Sequence, residues 1–396
     1  MATLEDRAAA FRGRMLASLR RLGVHSDAVL AAMDRVPRHH FVERCWTVPP
    51  GVAWDPHAAQ ELMVDEDCAD EVLAAVHDPE VAILTQLPLD GGQGTSSLSA
   101  PIIVGLMLAE MDLRPGLRVL EIGTGSGYNA ALIAALVGDP ALVTSLDIDE
   151  GLIARAAERL AREGLDGLDI RAVDGARGAP DRAPFDRIVA TVGCVDIAPA
   201  WVAQLASDGQ LLIPLEHGGM HPRVLLTKEA GSTALTGRFT GRSAFLRMLG
   251  SQGAHHLWPD DVAPRGRARH IALPTELALA LEPSEDRAQH PLRRHWDLAT
   301  SLAIRDQRAA PGVGLRSGTS AAYLRRDKVD THGPDGPALA ARLLALAAAW
   351  MDQGCPTVEA YALELTPRDG TPPPPSDAHG PWVIDRIDYR ETVSLL

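Results

Sequence analysis

The chain has 396 residues, a formal net charge of −14 and an ordinary apolar content of 46%. This length is enough for two domains, or for one domain with a large appendage. A nucleic-acid-binding protein is expected to carry a basic surface. The acidic balance therefore argues against nucleic acid as a partner, and an acidic peptide would need a local positive patch.

The cysteines and the distribution of apolar residues predict where in the cell the protein is located. The four cysteines, at positions 45, 68, 194 and 355, form no Cys-x-x-Cys pair, so neither a zinc site nor a disulfide framework is indicated. We expect reduced, mostly buried thiols and a cytoplasmic location. The chain shows no signal-peptide core and no run of about 18 apolar residues, so we expect no transmembrane helix and no membrane partner.

The N-terminal segment, residues 1–95, is predicted to be mainly helical at its start. Residues 4–22 have the pattern of a helix with one charged face, and Ser26 is suited to cap a second helix that stops before Pro37. Residues 48–95 have an irregular pattern apart from a helix near residues 68–77. We expect this stretch to border a substrate cleft.

Residues 96–250 are predicted to form a core domain in which helices and strands alternate. Such alternation indicates a parallel sheet covered on both faces, a doubly wound α/β fold. In this fold ligands bind at the carboxyl ends of the strands. The predicted helices are 101–111, 128–137, 149–163 and 199–206, and the predicted strands are 117–121, 142–147, 169–173, 185–191 and 210–214.

The pattern changes beyond residue 250, where prolines interrupt the chain at positions 259, 264, 283, 291 and 311. A strongly apolar helix over 338–351, a strand-like run at 357–365 and an apolar stretch at 381–389 follow, with a proline loop at 372–375 between the last two. These features predict a second, smaller α/β region, a C-terminal extension spanning 251–396.

A glycine-rich turn follows the first strand of the core. Residues 118–127 read Arg-Val-Leu-Glu-Ile-Gly-Thr-Gly-Ser-Gly. Glycines allow a backbone to approach a ligand closely, and the next helix points its free N–H groups at the same place. A dinucleotide site requires Gly-x-Gly-x-x-Gly, but Tyr128 stands where the third glycine would fall, and no P-loop lysine follows.

Carboxylates end the two strands beside this turn. Glu121 would repel a pyrophosphate but suits a cation, and Asp147 ends the second strand, where it can accept hydrogen bonds from a ribose diol. The combination suits S-adenosylmethionine, which has a ribose, an amino group, a sulfonium and no phosphate. Asp174 falls at the same sheet edge, which predicts a single shared pocket. The alternative is an ordinary glycine-rich turn with surface acids.

Four motifs indicate which family of S-adenosylmethionine-binding proteins the chain resembles. Residues 36–42 read Val-Pro-Arg-His-His-Phe-Val, residues 97–101 read Ser-Leu-Ser-Ala-Pro, residues 120–128 read Leu-Glu-Ile-Gly-Thr-Gly-Ser-Gly-Tyr, and residues 185–191 read Phe-Asp-Arg-Ile-Val-Ala-Thr. Over residues 15–250 the chain resembles the protein-L-isoaspartate O-methyltransferases, which are class I S-adenosylmethionine-dependent methyltransferases with a Rossmann-like core.

The resemblance implies methyl transfer from S-adenosylmethionine to an aspartate-derived carboxylate of a peptide or protein, with S-adenosylhomocysteine as the product. It assigns Ser99 as the active-site serine, with Ser97 beside it in place of the family's threonine. The alternative role of Ser99 is to cap the helix that begins at Pro101. The implied cofactor contacts are Glu121, Gly123, Thr124, Gly125, Tyr128, Asp147, Ile148, Asp174, Gly175 and Thr191. For Tyr128, simple packing in the first helical turn is an equal alternative.

Two departures from the family pattern bear on the substrate. Family members are usually little longer than 200 residues, so residues 251–396 are extra, and the segment 86–96 before Ser97 is longer and altered. These features resemble extended members found beside ribosomally made peptides such as lanthipeptides and graspetides. There the enzyme esterifies a genuine aspartate, and the ester collapses to an aspartimide. The alternative is general repair of isoaspartyl proteins.

Other functions are less well supported by the residues. Amino-methylating nucleic-acid enzymes carry Asn/Asp-Pro-Pro-Tyr/Phe after the fourth strand, where this chain reads Thr191-Val-Gly-Cys. A small-molecule methyltransferase and a non-catalytic binding protein remain alternatives. The adjacent histidine pairs 39–40 and 255–256 are expected to point apart, so we expect no metal site. The oligomeric state is left open.

Overall fold

The computed structural model describes residues 2–47, 59–87, 95–253, 268–282, 292–325, 327–373 and 380–396. The chain forms two compact units. The first comprises residues 1–192, 204–212 and 246–250, and the second comprises residues 193–203, 213–245 and 251–396. The predicted boundary after residue 95 thus falls inside the first unit. The predicted extension lies in the second unit, which also takes in two segments of the predicted core domain.

The first unit contains six helices among its described residues. They are α1 (Leu4–Arg21), α2 (Asp27–Arg35), α3 (Asp70–Val76), α4 (Pro101–Glu110), α5 (Tyr128–Val137) and α6 (Glu150–Arg162). Ser26 accepts a hydrogen bond from the Val29 N–H and caps α2 as predicted. Helix α5 is apolar on nearly every side and is buried almost throughout, whereas α6 buries only one stripe and begins at the cap residue Asp149.

A parallel sheet forms the centre of the first unit. Its strands are β5 (Val119–Ile122), β6 (Val143–Asp147), β7 (Asp169–Ala172), β8 (Phe185–Ala190) and β9 (Leu205–Pro214), in the order β9-β8-β5-β6-β7. The predicted doubly wound, Rossmann-like α/β core is therefore confirmed. The strand order reverses between β5 and β8, and ligands of open α/β sheets bind at the carboxyl ends of strands beside such a reversal.

A small antiparallel sheet also lies in the first unit, and the sequence pattern did not predict it. Its strands are β1 (Arg44–Thr47), β2 (Gln60–Met63), β3 (Ile83–Gln86) and β4 (Ser96–Leu98), in the order β2-β1-β3-β4. The expectation of an irregular 48–95 segment is therefore wrong for 60–63 and 83–86. Each strand is only three or four residues long, which is too short for an alternating apolar pattern to stand out.

The second unit combines short helices with antiparallel strands. Its helices are α7 (Pro199–Gln204), α8 (Thr275–Ala280), α9 (Arg293–Arg305) and α10 (Gly336–Asp352). Strands β10 (Arg223–Lys228), β11 (Leu235–Gly241), β17 (Tyr361–Pro367), β18 (Trp382–Asp385) and β19 (Tyr389–Leu395) are antiparallel neighbours in the order β10-β11-β17-β19-β18. Strands β12 (Arg269–Ala272), β13 (Ala309–Ala310), β14 (Gly314–Ser317), β15 (Ser320–Leu324) and β16 (Lys328–His332) form another sheet, in the order β12-β16-β15-β14-β13.

The second unit has a hydrophobic core of its own. Side chains of α9 and α10 pack with residues of β14, β15 and β16, and Trp350 on α10 has no exposed surface. The predicted helix 338–351 is thus present and slightly longer. No described helix combines the length and the apolarity required to cross a bilayer.

Candidate active site

The glycine turn lies between β5 and α5 and adopts a conformation that favours glycine. Gly123, Gly125 and Gly127 have φ angles of 100°, 52° and 88°, in the left-handed region that side chains rarely adopt. A Cβ on Gly123 would lie 2.7 Å from the Thr191 Oγ1 atom. Thr191 follows β8, and its hydroxyl donates to the Gly123 carbonyl over 2.7 Å. These contacts hold the glycine turn between the ends of β5 and β8, where the strand order reverses.

Glu121 lies behind this turn and has no exposed surface. Its two carboxylate oxygens accept hydrogen bonds from Asn129 on α5, over 2.7 Å, and from the Ser145 hydroxyl on β6, over 2.5 Å. Burial raises the pKa of Glu121 to about 7, against the lowering effect of these two donors. The side chain therefore ties α5 and β6 together at the base of the turn.

Asp147 and Ile148 stand at the end of β6, beside the turn. The Gly125 N–H donates to the Asp147 carboxylate over 2.9 Å, and the Asp149 N–H donates to its other oxygen over 3.1 Å. Burial raises the pKa of Asp147. Ile148 is 42% exposed, so an apolar surface adjoins a carboxylate that keeps further acceptor capacity.

Asp174 and Gly175 follow β7. The Asp174 carboxylate accepts a hydrogen bond from the Ala176 N–H over 3.0 Å and begins a short 3₁₀ turn, Gly175–Arg177. A Cβ on Gly175 would lie 2.6 Å from the Ile122 Cγ2 atom, so Gly175 packs directly against the end of β5. The predicted residues of three strand ends therefore gather around the glycine turn.

Two predicted cofactor contacts lie in the interior. Thr124 is 3% exposed, and its hydroxyl pairs with that of Ser145 at 2.7 Å. Tyr128 is 1% exposed, and its ring lies against Phe41, with 5.4 Å between ring centroids. Tyr128 thus packs in the interior, and its part in cofactor binding stays a prediction.

The two candidate serines lie on one side of the extended chain at β4, Ser97 within the strand and Ser99 just after it. Ser96 and Leu98 are buried on one side of the strand, whereas Ser97 and Ser99 are half-buried on the other, as the two-residue period of a strand requires. Helix α4 begins at Pro101 with Ala100 as its cap residue and without a capping side chain. The capping role considered for Ser99 is therefore wrong, and among the described residues no group hydrogen-bonds to its hydroxyl.

Strand β4 passes beside the glycine turn. A Cβ on Gly125 would lie 3.7 Å from the Ser96 Oγ atom and 3.9 Å from the Ser97 carbonyl oxygen. The strand that carries Ser97 and Ser99 is thus in van der Waals range of the turn. The altered segment before Ser97 falls largely at residues 88–94, outside the described residues.

Arg38 holds the chain at Ser99, a role that sequence reasoning missed. This arginine has no exposed surface. Its guanidinium donates to the carbonyls of Val76, Leu98 and Ser99 over 2.7, 3.3 and 2.8 Å. Burial lowers the pKa of Arg38 to about 10, so the group remains charged at neutral pH.

Asn129 and Ser145 were also missed, although the sequence carries a signal for both. Asn129 is the polar residue in an otherwise apolar helix, Ser145 lies in a largely buried strand, and buried polar groups are expected to have partners. Both side chains donate a hydrogen bond to the Glu121 carboxylate. A polar side chain at such a position predicts a hydrogen bond toward the adjoining strand end.

The expectation that His39 and His40 point apart is wrong. They lie on a 3₁₀ turn, Arg38–Phe41, and their rings approach to 4.5 Å between centroids. The pair 255–256 lies outside the described residues. All four thiols are free; three of them are buried, as expected, and Cys355 is half-buried.

Comparison with known sequences adds an independent observation. Residues 11–246 match the family described as protein-L-isoaspartate(D-aspartate) O-methyltransferase. A protein-L-isoaspartate O-methyltransferase of Methanothermobacter thermautotrophicus is 32% identical over 243 residues, which cover 61% of this chain and 96% of the relative. The enzyme of that name from Paramagnetospirillum magneticum is 36% identical over 202 residues, 51% of this chain and 77% of the relative.

A solved structure is similar over most of the chain. It is titled a protein-L-isoaspartate O-methyltransferase and aligns with 89% of this chain and 96% of its own length, with a TM-score of 0.51 and 21% identity. At this identity the likeness shows the fold alone.

Proposed function

The chain belongs to the protein-L-isoaspartate(D-aspartate) O-methyltransferase family, and we propose that its substrate is an isoaspartyl carboxylate of a peptide or protein. The chain is a protein carboxyl methyltransferase that uses S-adenosylmethionine. One observation carries the substrate proposal. The half-buried face formed by Ser97 on β4 and by Ser99 just after it runs alongside the glycine turn, where a Cβ on Gly125 would lie 3.9 Å from the Ser97 carbonyl.

The residues around the turn fit this cofactor. Asp147 offers carboxylate oxygens suited to a ribose diol, and the exposed Ile148 offers an apolar surface suited to the adenine ring. Gly123 and Gly125 carry no side chain that would keep a ligand from their backbone. We propose that the buried side chains of Glu121, Thr124 and Tyr128 support cofactor binding indirectly, by holding the glycine turn in its conformation. When bound, the cofactor supplies an activated methyl group and leaves as S-adenosylhomocysteine.

The site needs no general base for this chemistry. A carboxylate with an ordinary pKa near 4 is ionised at neutral pH and already has the lone pair that the reaction requires. The task of the protein is to hold one carboxylate oxygen about 3 Å from the methyl carbon, and such positioning contributes about 7–11 kcal/mol. The Ser99 hydroxyl is free to donate a hydrogen bond to the other oxygen and fix its orientation.

The resulting methyl ester reacts further without the enzyme. The backbone nitrogen of the following residue attacks the ester carbonyl, the new C–N bond closes a five-membered succinimide, and methanol leaves with the proton of that nitrogen. We propose that this aspartimide is the product that accumulates after methylation.

A second candidate substrate is a genuine aspartate in the precursor of a ribosomally made peptide. The feature that motivates it is the region 247–396, which lies beyond the family match and contains a hydrophobic core of its own. A solved structure titled a protein-L-isoaspartate O-methyltransferase nevertheless aligns with 89% of the chain, so this region does not by itself set the chain apart from the first candidate. An extension of this kind provides surface that can bind the parts of a dedicated peptide substrate that lie away from the reacting aspartate.

Methyl transfer to matched peptides tests both candidates. The tag-free full chain is incubated with methyl-labelled cofactor and one peptide sequence made with either isoaspartate or aspartate. A precursor peptide encoded beside the gene, in linear and cyclised form, completes the set. Base-labile label on the isoaspartyl peptide alone supports repair, and label on the precursor alone supports the second candidate. An absence of base-labile label from every peptide contradicts carboxyl methylation.

A further inference from the structure

Glu5, His39 and His40 form a compact cluster of metal-binding side chains on the first unit. One ligand atom from each residue lies within 4.8 Å of the other two. The His39 Nε2 atom is 2.9 Å from the Glu5 Oε1 atom, and the His40 Nε2 atom is also in hydrogen-bonding contact with that oxygen. Two imidazoles therefore converge on one carboxylate oxygen.

The local fold explains how adjacent histidines reach the same point. The 3₁₀ turn Arg38–Phe41 follows Pro37 and places both rings toward the first turn of α1, where Glu5 stands. His39 is buried, whereas the side chains of His40 and Glu5 are 35% and 56% exposed. The cluster is thus fixed on its inner side and open to solvent on its outer side.

A second carboxylate orients His40. The Glu163 Oε1 atom, at the end of α6, is 2.6 Å from the His40 Nδ1 atom. Metal-binding histidines almost always donate their other ring nitrogen to a carboxylate or carbonyl in this way. The Nε2 atom of the same ring faces the Glu5 oxygen. A zinc ion bound here would take the place of the proton shared between these two atoms.

We propose that Glu5, His39 and His40 bind a divalent zinc ion, with water completing the coordination and Glu163 orienting His40. Two imidazoles and one carboxylate are a ligand set that zinc accepts, and sites with three protein ligands keep an open position. A tetrahedral zinc ion with bonds of about 2.0–2.1 Å holds its ligand atoms roughly 3.3 Å apart. The exposed Glu5 side chain therefore needs to retreat by about 0.4 Å from the His39 Nε2 atom and by roughly twice as much from the His40 Nε2 atom.

The consequence of the site is a link between three elements. Glu5 lies on α1, the histidines lie on the turn that also carries Arg38, and Glu163 ends α6. Zinc bound here stabilises the folded state because an ion that binds only the folded chain shifts the unfolding equilibrium.

Cobalt and zinc titrations of the tag-free, chelator-treated protein test the site. The wild-type chain is expected to bind one equivalent of cobalt with the absorption of a tetrahedral complex, which zinc displaces. Glu5→Gln and His40→Ala are expected to weaken zinc binding by roughly 100-fold or more, and Glu163→Gln by about 10–100-fold. His25→Ala removes an exposed histidine outside the cluster and should leave binding unchanged.

Thermal unfolding gives a second measurement. Zinc should raise the unfolding midpoint of the wild-type chain and of His25→Ala, but not of Glu5→Gln. Far-UV circular dichroism of each variant without metal establishes that it is folded. The proposal is overturned if Glu5→Gln and His40→Ala keep the wild-type zinc affinity, or if the wild-type chain binds zinc no more tightly than millimolar.

Discussion

At the scale of single residues, Glu121 makes stability depend on pH. Its pKa is raised from about 4.5 to about 7, chiefly by burial. A raised pKa means that the folded state holds the proton more tightly than the unfolded chain. The associated stability is fully present below pH 4.5 and is lost as the pH rises through 7. The loss amounts to about 3 kcal/mol.

Glu121→Gln tests this directly. The amide cannot ionise, so the variant should lack the part of the pH dependence that lies between pH 4.5 and 7. Urea unfolding at half-unit steps should show wild type losing about 3 kcal/mol relative to the variant over this window. Parallel curves for the two proteins would show that the carboxyl group titrates normally, and would contradict the effect assigned to burial.

Ser99 is the residue on which the proposed positioning of the substrate depends. Ser99→Ala should lower kcat for the methyl-accepting peptide by about 10–100-fold, because a hydrogen bond to a charged group contributes about 1.5–3 kcal/mol. The affinity for S-adenosylmethionine, measured by calorimetry, should stay within about threefold, since the serine directly follows β4 and is not part of the glycine turn.

A matched variant separates the hydroxyl group from the shape of the strand. Ser99→Thr keeps the hydroxyl and suits an extended backbone, so it should retain most of the rate. If the alanine and threonine variants are equally active, Ser99 does not contact the carboxylate.

At the scale of elements, β4 is held in place by one buried arginine. Arg38 bonds to the carbonyls of Leu98 and Ser99 as well as to the end of α3. Arg38→Met should therefore leave buried carbonyls without donors and lower the free energy of unfolding by at least about 2 kcal/mol. Because Ser99 moves with the strand, kcat should fall roughly tenfold at a temperature where the variant is fully folded.

The control for this prediction is a neighbouring exposed arginine. Arg35 donates only to the Ala135 carbonyl, over 3.2 Å, so Arg35→Met should change neither kcat nor stability by much. A purely structural role for Arg38 would lower the unfolding midpoint and leave the kcat of the folded protein unchanged. That result would rule out Arg38 as a positioning residue.

The elements of the parallel core could be predicted from sequence because each is long and strongly patterned. Helix α5 was placed at its observed bounds, since an apolar run follows the glycine turn directly. Strands β2 and β3 could not be placed, because four residues with mixed burial give no period. The role of Arg38 escaped prediction for a related reason, as its partners are backbone carbonyls that no side-chain pattern reveals.

At the scale of the whole molecule, the second unit was predicted only in outline. Its longest helix and strands β17 and β18 coincide with predicted apolar runs, but β19 lies almost wholly beyond them, and β13 has two residues and β14 has four. Such strands are specified by their neighbours more than by their own sequence. The core built by α9 and α10 follows from tertiary packing, so a single sequence indicates that a second unit exists but not how its strands are ordered.

The net charge of −14 acts on every peptide that approaches the molecule. A field of this sign attracts cationic peptides and repels anionic ones beyond contact distance, and salt screens it over about 10 Å at 0.1 M. Raising the salt concentration from 20 to 500 mM should lower kcat/KM for a lysine-flanked isoaspartyl peptide by roughly threefold to tenfold. It should raise kcat/KM for an aspartate-flanked peptide, while an uncharged peptide of the same length serves as the control. Equal salt dependence for all three peptides would show that the field does not steer substrates, and a rate that falls with salt for the acidic peptide would point to a positive patch at the cleft.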